Sequence, residues 1–109
     1  RDVQNQASRL KRGEILLLEN LRFHKEEKAG DLQFAKELAK LGDIYINDAF
    51  GDCHRADSSI AKIPQLLPSG AGLLLQSEIE NLDRVLKNPA RPMVVLVGGV
   101  KVETKDTSD

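Results

Sequence analysis

A disulfide framework is excluded at once, because the chain has a single cysteine, Cys53. That usage fits a reducing compartment, and the cytoplasm is the expected location. No run of apolar residues approaches the roughly 18 that cross a bilayer, and no charged-then-apolar leader opens the sequence, so no membrane association is expected. Neither charge sign dominates: 16 Lys plus Arg stand against 17 Asp plus Glu, a net charge of −1. A globally basic nucleic-acid binder is thereby disfavoured, and no nucleic-acid partner is expected. Internal repeats and low-complexity tracts are also missing. The 109 residues, 40% hydrophobic and 30% charged, suffice for one small domain and fall short of two. The first residue is not methionine, and the last strongly apolar segment comes only about ten residues before the end. A buried parallel strand needs neighbours on both sides. These ends lead to the expectation of a piece of a longer protein, with apolar faces that promote association or partial disorder.

What is present alternates between two patterns. Arg9-Leu10-Lys11-Arg12-Gly13 reads as a helix end, with cations near its C-terminus and a glycine stop. Ile15-Leu16-Leu17-Leu18 is a short apolar run suited to a strand covered on both faces. Asp31 is a good N-cap for a helix with Leu32, Ala35, Leu38 and Ala39 on one face, ended by Gly42. Ile44-Tyr45-Ile46 suits a pleated, buried surface. Ser58 to Leu67 reads as a short helix broken by Pro64 and Pro68. Ser69-Gly70-Ala71-Gly72 opens a longer helix whose Leu75, Ile79, Leu82 and Leu86 form a core-facing seam, ended at Asn88-Pro89. Met93-Val94-Val95-Leu96-Val97 is the most apolar strand candidate. Strand and helix in alternation imply right-handed crossovers: an α/β fold, a three-layer α/β/α Rossmann-like parallel sheet that is incomplete.

Ligands in such sheets collect at the carboxyl ends of strands. Three segments leave strands there. The first carries Arg22 and His24, the second Asp48, His54 and Arg55, the third Gly98, Gly99, Lys101 and Lys105. Two arginines at neighbouring strand ends can grip a carboxylate or phosphate in bidentate fashion. A glycine pair lets backbone N–H groups approach a phosphate, with lysines adding charge. Each reading has a plainer competitor. A loop arginine is usually just solvated, His24 beside Lys25-Glu26-Glu27 reads as a surface residue, and Gly98-Gly99 also suits a simple turn. Cys53-His54 invites a nucleophile–base reading, but neighbours in a turn tend to point apart. Asp48, Asp52, His54 and Asp57 match no metal-site spacing, and Gly98-Gly99-Val100-Lys101 is not a Walker A loop.

Taken together, Leu17-Leu18-Glu19-Asn20-Leu21-Arg22-Phe23-His24, Asn47-Asp48-Ala49-Phe50-Gly51, His54-Arg55 and Gly98-Gly99-Val100-Lys101-Val102, in this order and spacing, closely resemble the phosphoglycerate kinase family. The likeness runs from about Gly13 to Lys105. It implies a two-lobed glycolytic enzyme that moves a phosphoryl group between 1,3-bisphosphoglycerate and ADP, giving 3-phosphoglycerate and ATP, with Mg2+ accompanying the nucleotide. It further implies hinge closure between a substrate lobe and a nucleotide lobe, and a monomer when the protein is complete. On that resemblance residues 1–70 are the C-terminal half of the 3-phosphoglycerate lobe, 71–88 the interdomain helix, and 89–109 the start of the nucleotide lobe.

Position by position, Arg22 and Arg55 resemble family arginines that bind 3-phosphoglycerate, and His54 helps shape the same patch. Lys101 resembles the catalytic lysine that meets the migrating phosphoryl group. Lys105 resembles a lysine on the nucleotide phosphates, and Gly98 and Gly99 would line the nucleotide site. Phosphoryl transfer needs charge stabilisation and in-line positioning, which such clamps supply. The sequence departs from the family pattern at Asp57, where histidine is frequent; a carboxylate there either lowers the local positive potential or orients Arg55 through an ion pair. Val100 replaces a small residue, and Asp106-Thr107-Ser108-Asp109 does not continue as an apolar helix. The family's Asp-x-Asn motif, a further essential arginine and a His-x-x-Arg motif are absent, so the chain by itself is expected to be inactive. The alternative is a non-catalytic α/β module that binds phosphate or carboxylate, and the blandest reading is a scaffold whose loops do nothing.

Overall fold

The computed structural model describes residues 2–87, 89–96 and 98. Helix and strand are mixed, and the sheet is parallel. In chain order the elements are α1 (Asp2–Ser8), a 3₁₀ turn at Leu21–Phe23, α2 (Lys25–Lys28), α3 (Leu32–Ala39), β1 (Tyr45–Asn47), a 3₁₀ turn at Phe50–Asp52, a π turn at Ser58–Lys62, a 3₁₀ turn at Ile63–Gln65, β2 (Ser69–Ala71) and α4 (Leu73–Lys87). The chain separates into two compact units, Arg1–Ile79 and Glu80–Asp109. No described helix is long and apolar enough to cross a membrane.

Helix α3 starts where its cap predicts, with the Asp31 carboxylate accepting from the Phe34 N–H at 2.7 Å. Its Ala35 is fully buried, while Leu38 and Ala39 are half-buried and Leu32 stays exposed. Lys40 closes the helix, two residues before Gly42. Against this face packs the segment 58–65, where Ile63 is buried. Much of the remaining core is polar: Glu27, Asp57 and Ser58 are buried as well. The Ser58 hydroxyl donates to the carbonyls of Glu26 at 2.9 Å and Asp31 at 3.0 Å. The Glu27 carboxylate accepts from the Ser59 backbone N–H, at 3.1 Å to Oε2, and from the Ser59 hydroxyl. The start of the π turn thus has its free donor satisfied by a side chain from α2. Gly30, with φ of 64°, lets the α2–α3 junction press against this segment, since a Cβ there would lie 2.6 Å from the Ala56 carbonyl oxygen.

Strands β1 and β2 pair in parallel, Tyr45 with Ser69, Ile46 with Gly70 and Asn47 with Ala71. The pairing corrects the expected helix opening at 69–72: Ser69–Ala71 is a strand, and the helix begins only at Leu73. Gly72 precedes that helix and has no side chain to cap it. The Asp48 carboxylate fills the space a Cβ at Gly72 would need and accepts from the Leu75 N–H at 3.0 Å. A residue leaving β1 therefore caps α4 from outside the helix.

The expected strand at Ile15–Leu18 does not form. Residues 14–20 belong to no element, and Ile15 and Leu17 are each 91% exposed. An extended run becomes a strand only with a hydrogen-bonding neighbour, and the described sheet has two strands. Met93–Leu96 likewise carry no ladder and are exposed, and Val97 lies outside the described residues. On α4, Leu75 is half-buried, but Ile79, Leu82 and Leu86 of the expected seam stand exposed. So much apolar surface, Ile44 and Ile46 included, is expected to drive concentration-dependent association. Light scattering on the purified chain checks it; a monodisperse monomer across a hundredfold dilution contradicts it.

Candidate functional site

The loop at the carboxyl end of β1 is shaped by local polar contacts. The Asn47 side-chain oxygen accepts from the Ala49 N–H at 2.9 Å, an Asx turn that bends the chain out of the sheet. The Phe50–Asp52 turn follows, and the Arg55 N–H donates to the Asp52 carbonyl at 2.9 Å. Asp52 and Arg55, three residues apart, therefore face one another, with Arg55 Nε 2.7 Å from Asp52 Oδ1. A second turn delivers Arg22: the Asn20 side chain accepts from its backbone N–H at 2.9 Å and starts the Leu21–Phe23 turn.

These two turns meet at one oxygen. Arg22 Nη2 donates to the same Asp52 Oδ1 at 2.8 Å. From its other side Arg22 is held by the nearly buried Asp57, whose Oδ2 accepts from Nε at 3.3 Å and Nη2 at 3.2 Å. Asp57 thus pairs with Arg22 and not with Arg55, which corrects the second of the two alternatives expected for it. Beside these groups lies a hollow of about 340 Å³, lined among others by Asn20, Arg22, Glu27, Asp52, Asp57 and Ser59.

The electrostatics follow from the contacts. Hydrogen bonding to Arg22, then to Arg55, holds the Asp52 carboxyl below the usual carboxylate range despite partial desolvation. The same bonds, Asp52 first, raise the Arg22 guanidinium further. Because the pKa of Asp52 is depressed, the contact persists through the ordinary range and is lost only as pH falls through the lowered value. The carboxyl carbon of Asp52, followed by NMR, is expected to titrate below the range of an unpaired aspartate, and Arg22→Met is expected to move its midpoint back up. A midpoint unaffected by that substitution contradicts the assignment.

The other candidates lie elsewhere. His54 is exposed in the turn beside Arg55. The Cys53 thiol donates to the Ala49 carbonyl at 3.4 Å and Asn47 Nδ2 approaches it at 3.6 Å, so its described contacts are to the loop and not to His54. His24 pairs with Glu19 at 3.3 Å and stacks at a tilt near Phe34, with ring centroids 5.4 Å apart. Asp48 is spent on α4, and Asp52 and Asp57 on arginine. Among the described residues no group of three or more His, Cys, Asp or Glu is arranged to hold a metal ion. Gly98 is described and exposed, whereas Gly99, Lys101 and Lys105 lie outside the described residues. The bridging role of Asp52 is only half legible in the sequence. Its i,i+3 spacing to Arg55 signals half of the contact, and nothing local signals the half made by Arg22, 30 residues away.

Comparison with known proteins bears on all these residues together. The profile of the family described as phosphoglycerate kinase matches residues 1–107. The phosphoglycerate kinase of Leptospira biflexa is 56% identical over 104 residues, that of Moorella thermoacetica 53% over 104, and that of Dictyoglomus turgidum 49% over 104. Each alignment covers 95% of this chain and 26% of the relative, so the chain spans about a quarter of the length of the curated relatives it matches. With a match that runs through both turns of the arginine cluster, the chain belongs to the phosphoglycerate kinase family.

Proposed function

We propose that this chain supplies part of the substrate side of a phosphoglycerate kinase, the enzyme of glycolysis that transfers a phosphoryl group between 1,3-bisphosphoglycerate and ADP to give 3-phosphoglycerate and ATP. The observation that carries this reading is the convergence of Arg22 and Arg55 on one carboxylate oxygen, at 2.8 and 2.7 Å. A carboxylate oxygen bound by two guanidinium groups is the contact that the acid or phosphate end of a three-carbon phosphorylated acid would make. In this reading the two arginines, with His54 beside them, orient the acid. The turns capped by Asn20 and Asn47 hold that geometry ahead of binding, which lowers the ordering cost.

On the nucleotide side, Gly98 and Gly99 leave room for phosphate, Lys105 contacts it, and Lys101 stabilises the charge on the phosphoryl group in transfer. Mg2+ enters with ATP or ADP as part of that substrate. The complete protein is read as a cytoplasmic monomer with Rossmann-like lobes. Residues 1–70 belong to the substrate lobe, 71–88 to the connecting helix and 89–109 to the nucleotide lobe.

A chain that spans about a quarter of its relatives' length lacks partners for the rest of the reaction. Alone, it is expected to bind 3-phosphoglycerate without turning it over. Calorimetric titration with 3-phosphoglycerate, paired with a coupled assay for 3-phosphoglycerate-dependent ADP formation, tests both halves. Saturable binding with no turnover supports the reading. Binding unchanged by Arg22→Ala refutes the assigned site, and turnover at a normal enzymatic rate refutes the expected inactivity.

A further inference from the structure

The arginine cluster carries equal charge of both signs. Arg22 and Arg55 contribute two guanidinium groups, and Asp52 and Asp57 two carboxylates. The carboxylates are not equivalent. The Asp57 side chain is 9% exposed and, among the described residues, pairs with Arg22. That of Asp52 is 40% exposed, and its Oδ1 receives both arginines. That oxygen occupies the point where Arg22 Nη2 and Arg55 Nε would meet an incoming oxyanion. An exposed ion pair is weakly held and exchangeable, whereas a buried one is costly to break.

We propose that Asp52 is an internal counter-anion: its carboxylate keeps Arg22 and Arg55 on one oxygen before an anion binds, and gives up that place to the phosphorylated acid. The proposal rests on the reading of the two arginines as substrate ligands. Two effects of Asp52 oppose each other. Holding two long side chains ready saves their ordering cost on binding. Against this, the acid must displace a carboxylate whose charge then remains nearby and repels it. Repulsion outweighs the saving here, because the Arg22 guanidinium is also held by Asp57 through Nε and Nη2.

Asp52→Asn keeps the size and the acceptor oxygen and removes the charge. Calorimetric titration of the full 109-residue chain with 3-phosphoglycerate, and with inorganic phosphate as a second probe, is expected to give a roughly three- to tenfold lower Kd for this variant at low salt. Asp52→Ala, which also removes the acceptor, is expected to change affinity in the same direction, and the gain should shrink in about 1 M salt. Detectable binding by Asp52→Asn where the parent shows none counts as support. Equal or weaker binding by both variants, while Arg22→Ala abolishes the parent's binding, overturns the counter-anion and leaves the substrate site standing. Binding by Arg22→Ala equal to the parent's overturns the substrate site, and the counter-anion with it. Absence of binding by every protein overturns both.

Discussion

Arg22→Ala is expected to weaken 3-phosphoglycerate binding roughly 30- to 100-fold, the loss that follows when charge-assisted hydrogen bonds to a bound anion are removed. The size of the effect comes from the position of the side chain. Arg22 is the only described group that touches both Asp52 and Asp57, so it fixes the cluster from two sides. Arg22→Lys separates charge from shape. It restores the positive charge but not the planar fork that reaches two oxygens at once, and should recover only about tenfold of the loss. Both variants are also expected to melt at lower temperature, because Asp57 is nearly buried and loses the guanidinium that compensates it. Titration calorimetry with a parallel thermal melt distinguishes the two consequences. A lysine variant that binds as tightly as the parent would show that charge alone suffices and that the paired geometry is unused.

The second large effect is one of stability. Glu27→Ala is expected to cost about 2–3 kcal/mol, because the Ser59 N–H and hydroxyl lose their acceptor where water has little access. Glu27→Gln retains one acceptor oxygen and should cost about 1 kcal/mol. The consequence reaches the site, since Glu27 and Ser59 line the same hollow as Arg22. Urea unfolding of the three proteins measures the difference. A loss below about 0.5 kcal/mol for the alanine variant, the range of ordinary surface changes, would mean that this buried contact contributes nothing to the fold.

Local chemistry explains which parts of the architecture were legible beforehand. Helix α3 announces itself through a cap and an apolar face, and Asp31 and Ala35 do what those signals say. Helix α4 is legible in its existence and its end before Asn88-Pro89 but not in its opening, and β1 lies within a residue of the apolar trio that predicts it. Strand β2 is not legible: Ser69-Gly70-Ala71 has no strand-forming side chains and is extended because β1 lies beside it. Ile15–Leu18 shows the converse, a run with strong strand character but no neighbour to pair with. Periodicity reports what a segment is able to do, whereas pairing depends on what lies beside it.

The same division runs through the site. Charge and an expected strand-end placement single out Arg22 and Arg55, although no strand forms ahead of Arg22, and family likeness gives them a role. The partners of those arginines depend on contacts between distant turns. Asp57 lies two residues from Arg55 in sequence, yet its carboxylate meets Arg22, because the 58–65 segment packs on α2 and α3 and carries Asp57 toward the Leu21–Phe23 turn. Glu27 reads as one charge in the Lys25-Glu26-Glu27 run beside His24 and is instead a buried acceptor.

Arginine side-chain NMR tests the convergence of the two turns most directly. With 15N-labelled chain, the Nε–H signals of Arg22 and Arg55 are followed while 3-phosphoglycerate is added. Both are expected to shift along one saturation curve with a shared midpoint, since both groups contact the same oxygen. Movement of one signal while the other stays fixed, or two unrelated midpoints, would show that the guanidinium groups do not serve a common anion.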